Sequence, residues 1–296
     1  MKDFEFQTAT SVDEAVSLLA AGGDRARVLT GGTDLIVQLR EGLREADLVV
    51  DVKKIPELTE MHYDANTGLR LGAAVACYRI YQDHRVAAAY PALADSARII
   101  GGWQIQSRAS VGGNLCNASP AADSIPSLIV YDVTCHLAGP QGRRTLPAAD
   151  FCVGPGKNAL LRGEILATLE FPPAAPRTGA AYQRFIPRNE MDIAVVGAAS
   201  WVRLNPAGDT IERARVALAA VGPIPLMLDS AADWLAGKPA TDETFTAAGK
   251  LASAAARPIN DKRGTVEYRK HLAGVLTKRT LALAAERARQ RATSAR

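Results

Sequence analysis

Hydrophobic residues recur along this chain with two different periods. Val12, Ala15, Val16 and Leu19 share one helical face. Ser11-Val12-Asp13-Glu14 has the form of a capping box ahead of that face, and Gly22-Gly23 ends it. Arg27-Val28-Leu29-Thr30 reads as a short strand, residues 33–39 as a helical turn and residues 47–52 as a returning strand. A compact β-α-β-α-β unit is therefore expected over about the first 55 residues.

Residues 69–75 alternate like a strand, while 78–82 and 92–100 have helical spacing, and Gly101-Gly102 breaks the second. A helix is expected over 126–131. A hairpin is expected from 134–137 and 144–146, around Gly139-Pro140-Gln141-Gly142. Residues 165–171 form another strand pattern. Pro172-Pro173-Ala174-Ala175-Pro176 then reads as a linker. Beyond it, 182–186, 193–204 and 214–221 predict an antiparallel meander. Helical patterns follow at 229–235, 242–256 and 266–289. No internal repeat is evident.

Two glycine pairs interrupt this pattern. The first lies in Leu29-Thr30-Gly31-Gly32-Thr33-Asp34-Leu35-Ile36. The second lies in Ser110-Val111-Gly112-Gly113-Asn114, which runs on through Leu115-Cys116-Asn117-Ala118-Ser119-Pro120-Ala121-Ala122-Asp123. Glycine lets backbone N–H groups come close to an anion. Two such loops can grip a pyrophosphate from opposite sides. The first loop opens a helical turn, where free N–H groups favour phosphate. One Gly-Gly pair alone is only a turn signal, and no G-x-G-x-x-G is present.

These segments resemble the flavin-binding medium subunits of molybdenum hydroxylases, the xanthine dehydrogenase and carbon monoxide dehydrogenase family. The resemblance covers nearly the whole chain. It includes Phe4-Glu5-Phe6, residues 51–58, Leu71-Gly72-Ala73-Ala74-Val75, Gly154-Pro155-Gly156-Lys157, Asp192-Ile193-Ala194 and residues 261–269. It implies an α+β fold. A two-subdomain PCMH-type (vanillyl-alcohol oxidase-like) FAD-binding domain would span 1–176, with subdomains of about 1–55 and 56–176. A small α+β domain with an antiparallel three-stranded sheet and helices would span 177–296.

The resemblance also implies roles. Leu29, Thr30, Gly31, Gly32, Thr33, Asp34, Leu35 and Ile36 match a first flavin loop. Ser110, Val111, Gly112, Gly113 and Asn114 match a second, where the Ser110 hydroxyl and Asn114 amide suit phosphate or ribityl oxygens. Asp123 matches a carboxylate at the adenosine end; it also suits a helix N-cap, and both can hold at once. Ile100 and Leu160 match apolar contacts near the rings, with Leu161 an alternative for Leu160. Arg184 stands where relatives often carry a lysine near the flavin. Its other reading is a strand residue whose head group reaches solvent. Arg188, Asn189 and Glu190 fall in a segment that resembles a loop over the flavin; solvated surface charge is the equal alternative. Large molybdenum-cofactor and small two-[2Fe–2S] subunits are the implied partners, in a dimer of heterotrimers.

Charge and cysteine content narrow the classes. A net charge of +4, few aromatic residues and no binding motif make nucleic acid a poor partner. Lys278, Arg279, Arg287, Arg289, Arg291 and Arg296 concentrate positive charge near the end, where a solvated, frayed basic tail is expected. No run of eighteen apolar residues occurs and no apolar signal segment opens the sequence, so a cytoplasmic location and no membrane span are expected. Cys77, Cys116, Cys135 and Cys152 lack metal-site spacing, and all but Cys116 read as buried free thiols. Cys116 lies inside the second loop, close to any cofactor there. His62, His84, His136 and His271 are scattered, without a nucleophile nearby in sequence. No G-x-S-x-G, H-E-x-x-H or Walker motif appears, as suits a protein whose cofactor supplies the redox chemistry. A stand-alone FAD oxidase of the same fold and a non-catalytic nucleotide-binding module are the competing classes. The first needs its own substrate pocket and base.

Overall fold

The computed structural model describes residues 2–188 and 190–294. Strand β1 (Glu5–Thr8), helix α1 (Val12–Gly22), strand β2 (Ala26–Leu29), helix α2 (Leu35–Arg40) and strand β3 (Leu48–Asp51) form the expected unit. The strands make a parallel sheet of order β1-β3-β2. Ser11 caps α1 by accepting from the Glu14 N–H at 3.1 Å. The reciprocal arm reaches one residue further back than a capping box requires. The Glu14 carboxylate accepts from the N–H and hydroxyl of Thr10, at 2.7 and 2.8 Å.

Helix α3 (Pro56–Thr59) leads to strands β4 (Met61–Asp64) and β5 (Gly68–Gly72). Helices α4 (Cys77–Gln82), α5 (His84–Ala89), α6 (Pro91–Ala97), α7 (Trp103–Gln106), α8 (Val111–Asn117) and α9 (Ile125–Val130) follow. The hairpin closes as β6 (Thr134–Gly139) and β7 (Gly142–Pro147). After a two-stranded ribbon, β8 (Cys152–Gly154) with β9 (Lys157–Asn158), the chain re-enters the main sheet as β10 (Ile165–Phe171). That antiparallel sheet has the order β4-β5-β10-β6-β7. Its central strand is nearly continuous in apolar residues, because both of its faces are covered.

The meander is β11 (Thr178–Phe185), β12 (Val196–Leu204) and β13 (Ile211–Ala219). A fourth strand, β14 (Leu226–Met227), was not expected; two residues are too few for a visible alternation. Helices α10 (Asp229–Leu235), α11 (Asp242–Ala255) and α12 (Val266–Ser294) complete the chain. One core runs past the proline-rich linker: Ala180, Tyr182, Ala199 and Ala217 pack in the same cluster as Leu69, Leu128 and Phe171.

The expected frayed basic tail is corrected here. Helix α12 packs against β11, β12 and α11, and its basic side chains tie it down. Arg287 makes two bonds to the Asp95 carboxylate, at 2.6 and 3.1 Å, and a third to the Ala180 carbonyl. Arg289 donates to the Gly208 and Ala240 carbonyls, and Arg291 to those of Ala88 and Ala89. Lys278 reaches Asp242. All of these acceptors are distant in sequence, so local charge density does not reveal them. Arg296 lies outside the described residues.

Candidate functional site

The two glycine loops meet. Arg108, just before the second loop, donates from Nε to the Gly31 carbonyl at 3.1 Å. Gln38 of α2 donates to Asn117 of α8 at 3.0 Å. Between the loops lies a cleft of about 380 Å³, in the size range of cofactor sites.

Each glycine of the loops has its own reason. A Cβ on Gly31 would stand 2.1 Å from the Arg108 carbonyl oxygen, and one on Gly112 would stand 2.4 Å from that of Ala73. Those two permit backbone-to-backbone packing. Gly32 has φ +76°, in the left-handed region that favours glycine. A Cβ on Gly113 would meet no backbone, only the Ser110 Oγ at 3.0 Å and the Thr30 Oγ1 at 3.1 Å. Hydroxyls from both loops therefore crowd the position beside Gly113.

The second motif is a helix rather than an irregular loop. Ser110 is its N-cap, and its hydroxyl accepts from the Gly113 N–H at 3.0 Å. The N–H groups of Gly31, Gly32 and Thr33 donate to no acceptor among the described residues.

Most of the residues expected at the site line the cleft: Thr30, Gly32, Thr33, Asp34 and Leu35 from the first loop, and Ser110, Gly112, Gly113 and Asn114 from the second. Ile100 and Leu160 line it as well, as does Leu161. Leu29 and Val111 turn into the core, Gly31 packs on Arg108, and Ile36 is on the exposed side of α2. Strand alternation accounts for Leu29: Val28 and Thr30 face the cleft, and Leu29 packs with Leu39 and Val49.

Asp123 and Arg184 do not line the cleft. Arg184 reaches neither a cleft wall nor solvent; it forms a buried ion pair with Asp123 at 2.5 Å, the two side chains being 7% and 10% exposed. Tyr182 donates its hydroxyl to the other Asp123 oxygen at 2.7 Å. The N-cap reading of Asp123 is corrected too. Ser124 directly precedes α9, and no side chain caps that helix. Asn189 lies outside the described residues. Arg188 and Glu190 flank it, and Arg188 bonds to the Met191 carbonyl.

Burial pushes the Asp123 carboxyl up to about 6, while Arg184 and the Tyr182 hydroxyl pull it back. Its affinity for a proton is thus higher folded than unfolded. That contribution to stability is full below about pH 4 and is lost as pH rises through about 6. The stability of the wild type relative to Asp123→Asn should fall between those pH values in denaturant titrations. A difference that stays flat or rises would contradict this assignment.

Sequence reasoning missed several wall residues. Arg27, Arg44 and Arg162 bring positive charge to the cleft. Glu164, on the same wall, is already held by Arg144 at 2.7 Å and stays below its usual range. Burial raises Asp34, with Arg44 opposing it. Cys116 lines the cleft, and burial pushes its thiol up to about 12, so it is neutral near pH 7. Cys77, Cys135 and Cys152 are buried free thiols. No group of side chains that could hold a metal ion occurs among the described residues.

The walls fit a dinucleotide. The Thr30 and Ser110 hydroxyls meet beside Gly113, and the Arg27 Nε is buried at the wall without a hydrogen-bond partner, so both loops and β2 bring donors to the cleft. Paired glycine loops over a cleft lined by Arg27, Arg44 and Arg162, with Asp24, Asp34 and Glu164 beside them, make an α+β protein of the kind that binds nucleotide cofactors.

Comparison with known proteins makes this specific. Residues 2–174 match the FAD binding domain in molybdopterin dehydrogenase, and residues 180–284 match the CO dehydrogenase flavoprotein C-terminal domain. The chain is 32% identical to the carbon monoxide dehydrogenase medium chain of Hydrogenophaga pseudoflava, over 94% of this chain and 96% of that one. It is 30% identical to the xanthine dehydrogenase FAD-binding subunit of Escherichia coli O157:H7, over 95% and 96%. A solved carbon monoxide dehydrogenase from Hydrogenophaga pseudoflava superposes with a TM-score of 0.92, at 32% identity, over 97% of this chain and 98% of that one. Quinoline 2-oxidoreductase from Pseudomonas putida 86 superposes with a TM-score of 0.89, at 29% identity, over 97% and 99%. The chain belongs to the family of FAD-binding subunits of molybdopterin dehydrogenases. It is an oxidoreductase subunit whose cofactor is FAD.

Proposed function

We propose that this chain is the electron-transfer flavoprotein of a molybdenum hydroxylase complex. It would take electrons from the [2Fe–2S] clusters of a small partner and deliver them to an external acceptor. A large partner would carry the molybdenum cofactor and the substrate, in a dimer of heterotrimers in the cytoplasm. No helix among the described residues is long and apolar enough to cross a membrane. The proposed division is a PCMH-type FAD-binding domain over 1–176 and a C-terminal α+β domain over 177–296.

The observation that carries this reading is the meeting of the two glycine loops over one cleft, in a chain that spans almost the full length of medium-chain relatives. Bound FAD supplies the redox chemistry, by accepting and releasing two electrons. The protein supplies binding and orientation. Backbone N–H groups of Gly31, Gly32 and Thr33, with the Thr30 and Ser110 hydroxyls, would hold the pyrophosphate. Arg27 and Arg44 offset its charge, and Ile100 and Leu160 give apolar contact to the rings.

FAD should be bound without a covalent link. Among the described residues no histidine lines the cleft, and the one cysteine that does, Cys116, carries a neutral thiol. Denaturation should release all flavin to the supernatant, and phosphodiesterase should convert it to FMN. Flavin retained on the denatured chain would refute the non-covalent assignment, and a colourless protein that cannot be reconstituted with FAD would refute the reading as a whole.

A further inference from the structure

Asn114 reaches the cleft wall beside Gly113, and its carboxamide oxygen is already taken. That oxygen accepts the Ser124 hydroxyl at 2.6 Å and the Ser124 N–H at 3.3 Å. A carboxamide has one acceptor oxygen and an NH₂ with two donors. With the oxygen turned to Ser124, the Nδ2 donors face away from it, and they have no acceptor among the described residues. Ser124 is fully buried and is not part of the cleft wall. It cannot touch a ligand there. Its position is fixed from behind: the preceding residue, Asp123, is held by Tyr182 and Arg184 of β11.

We infer that Ser124 is a positioning residue that fixes the orientation of the Asn114 amide, so that the cleft is offered N–H donors and not a carbonyl oxygen. The ligand group this selects is an oxygen acceptor, such as a phosphate, hydroxyl or ring carbonyl oxygen of FAD. A flipped amide would set its oxygen against that acceptor. The chain of contacts runs from β11 through Asp123 and Ser124 to Asn114, so the C-terminal sheet preorganises the cofactor cleft. The inference rests on the cleft being the FAD site.

A double-mutant cycle on the full chain, stripped of flavin, tests it. FAD affinity is read by fluorescence titration, and the melting temperature of the flavin-free protein is read alongside. Asn114→Ala and Ser124→Ala should each weaken FAD by about tenfold, the scale of one hydrogen bond to a ligand. The double variant should bind like Asn114→Ala alone, because Ser124 acts only through Asn114. Ser124→Cys, which keeps the size and weakens the donor, covers the case in which Ser124→Ala fails to fold; it should also weaken FAD, and that loss should vanish in the Asn114→Ala background. Losses that multiply in the double variant, or wild-type affinity in either serine variant, would overturn the inference. Wild-type affinity in Asn114→Ala would overturn it while leaving the cleft as the FAD site. Failure of the wild-type chain to bind FAD would bring down both.

Discussion

Gly113→Val should abolish FAD binding while leaving the flavin-free fold close to wild type. The added Cβ would stand 3.0 and 3.1 Å from the Ser110 and Thr30 hydroxyls, which need give only slightly, and would strike no backbone outside its own helix. The branched side chain would crowd the two hydroxyls proposed to hold the pyrophosphate. Losing two hydrogen bonds to a charged group, at about 1.5–3 kcal/mol each, weakens binding by roughly 100-fold or more. Gly32→Val should lose FAD as well, with some strain from φ +76°. Gly31→Val and Gly112→Val serve as contrasts. Their Cβ atoms would strike the carbonyls of Arg108 and Ala73 at 2.1 and 2.4 Å, so these variants should lose the fold itself. Flavin titration paired with thermal melting separates the classes. Normal FAD stoichiometry in Gly113→Val would mean that the second glycine pair does not hold the cofactor.

Arg184→Met should destabilise the protein, rather than tune a cofactor directly. Breaking a buried ion pair on one side leaves the other charge uncompensated and costs about 3–5 kcal/mol, or roughly 5–8 °C in Tm for a chain of this size. The partner left behind is Asp123, only 10% exposed. Adding Asp123→Asn should recover most of the loss, since asparagine still accepts from the Tyr182 hydroxyl and carries no charge. Arg184→Met with an unchanged melting temperature and a lowered flavin potential would restore the direct role at the flavin that the family resemblance suggests.

These two residues show where sequence reading works and where it stops. Local signals located β10 at 165–171 and α10 at 229–235, because apolar runs and helical spacing are written in adjacent residues. The two glycine pairs stand out in the sequence, and at Gly31 and Gly112 close backbone approach demands glycine itself. That Asp123, Tyr182 and Arg184 form one buried cluster was not legible. The contact joins residues about sixty apart in sequence, across the proline-rich linker. The same holds for Arg287 and Asp95, whose pairing turns an apparent basic tail into a docked helix. Arg27 left a weaker trace, on the strand that delivers the first loop. Periodicity assigns each element its faces, but the partner that each face meets is set by the assembled fold.

Electron transfer through FAD held between the two loops is the proposed role of this chain. Its most direct measurement is anaerobic rapid mixing of the FAD-loaded chain, with flavin absorbance as the readout. Chemically reduced two-[2Fe–2S] partner subunit should bleach the flavin quickly, while an organic substrate of the complex, mixed with the chain alone, should leave it oxidised. Rapid bleaching by substrate with no partner present would contradict the account, as would a flavin that stays oxidised when the reduced partner is added.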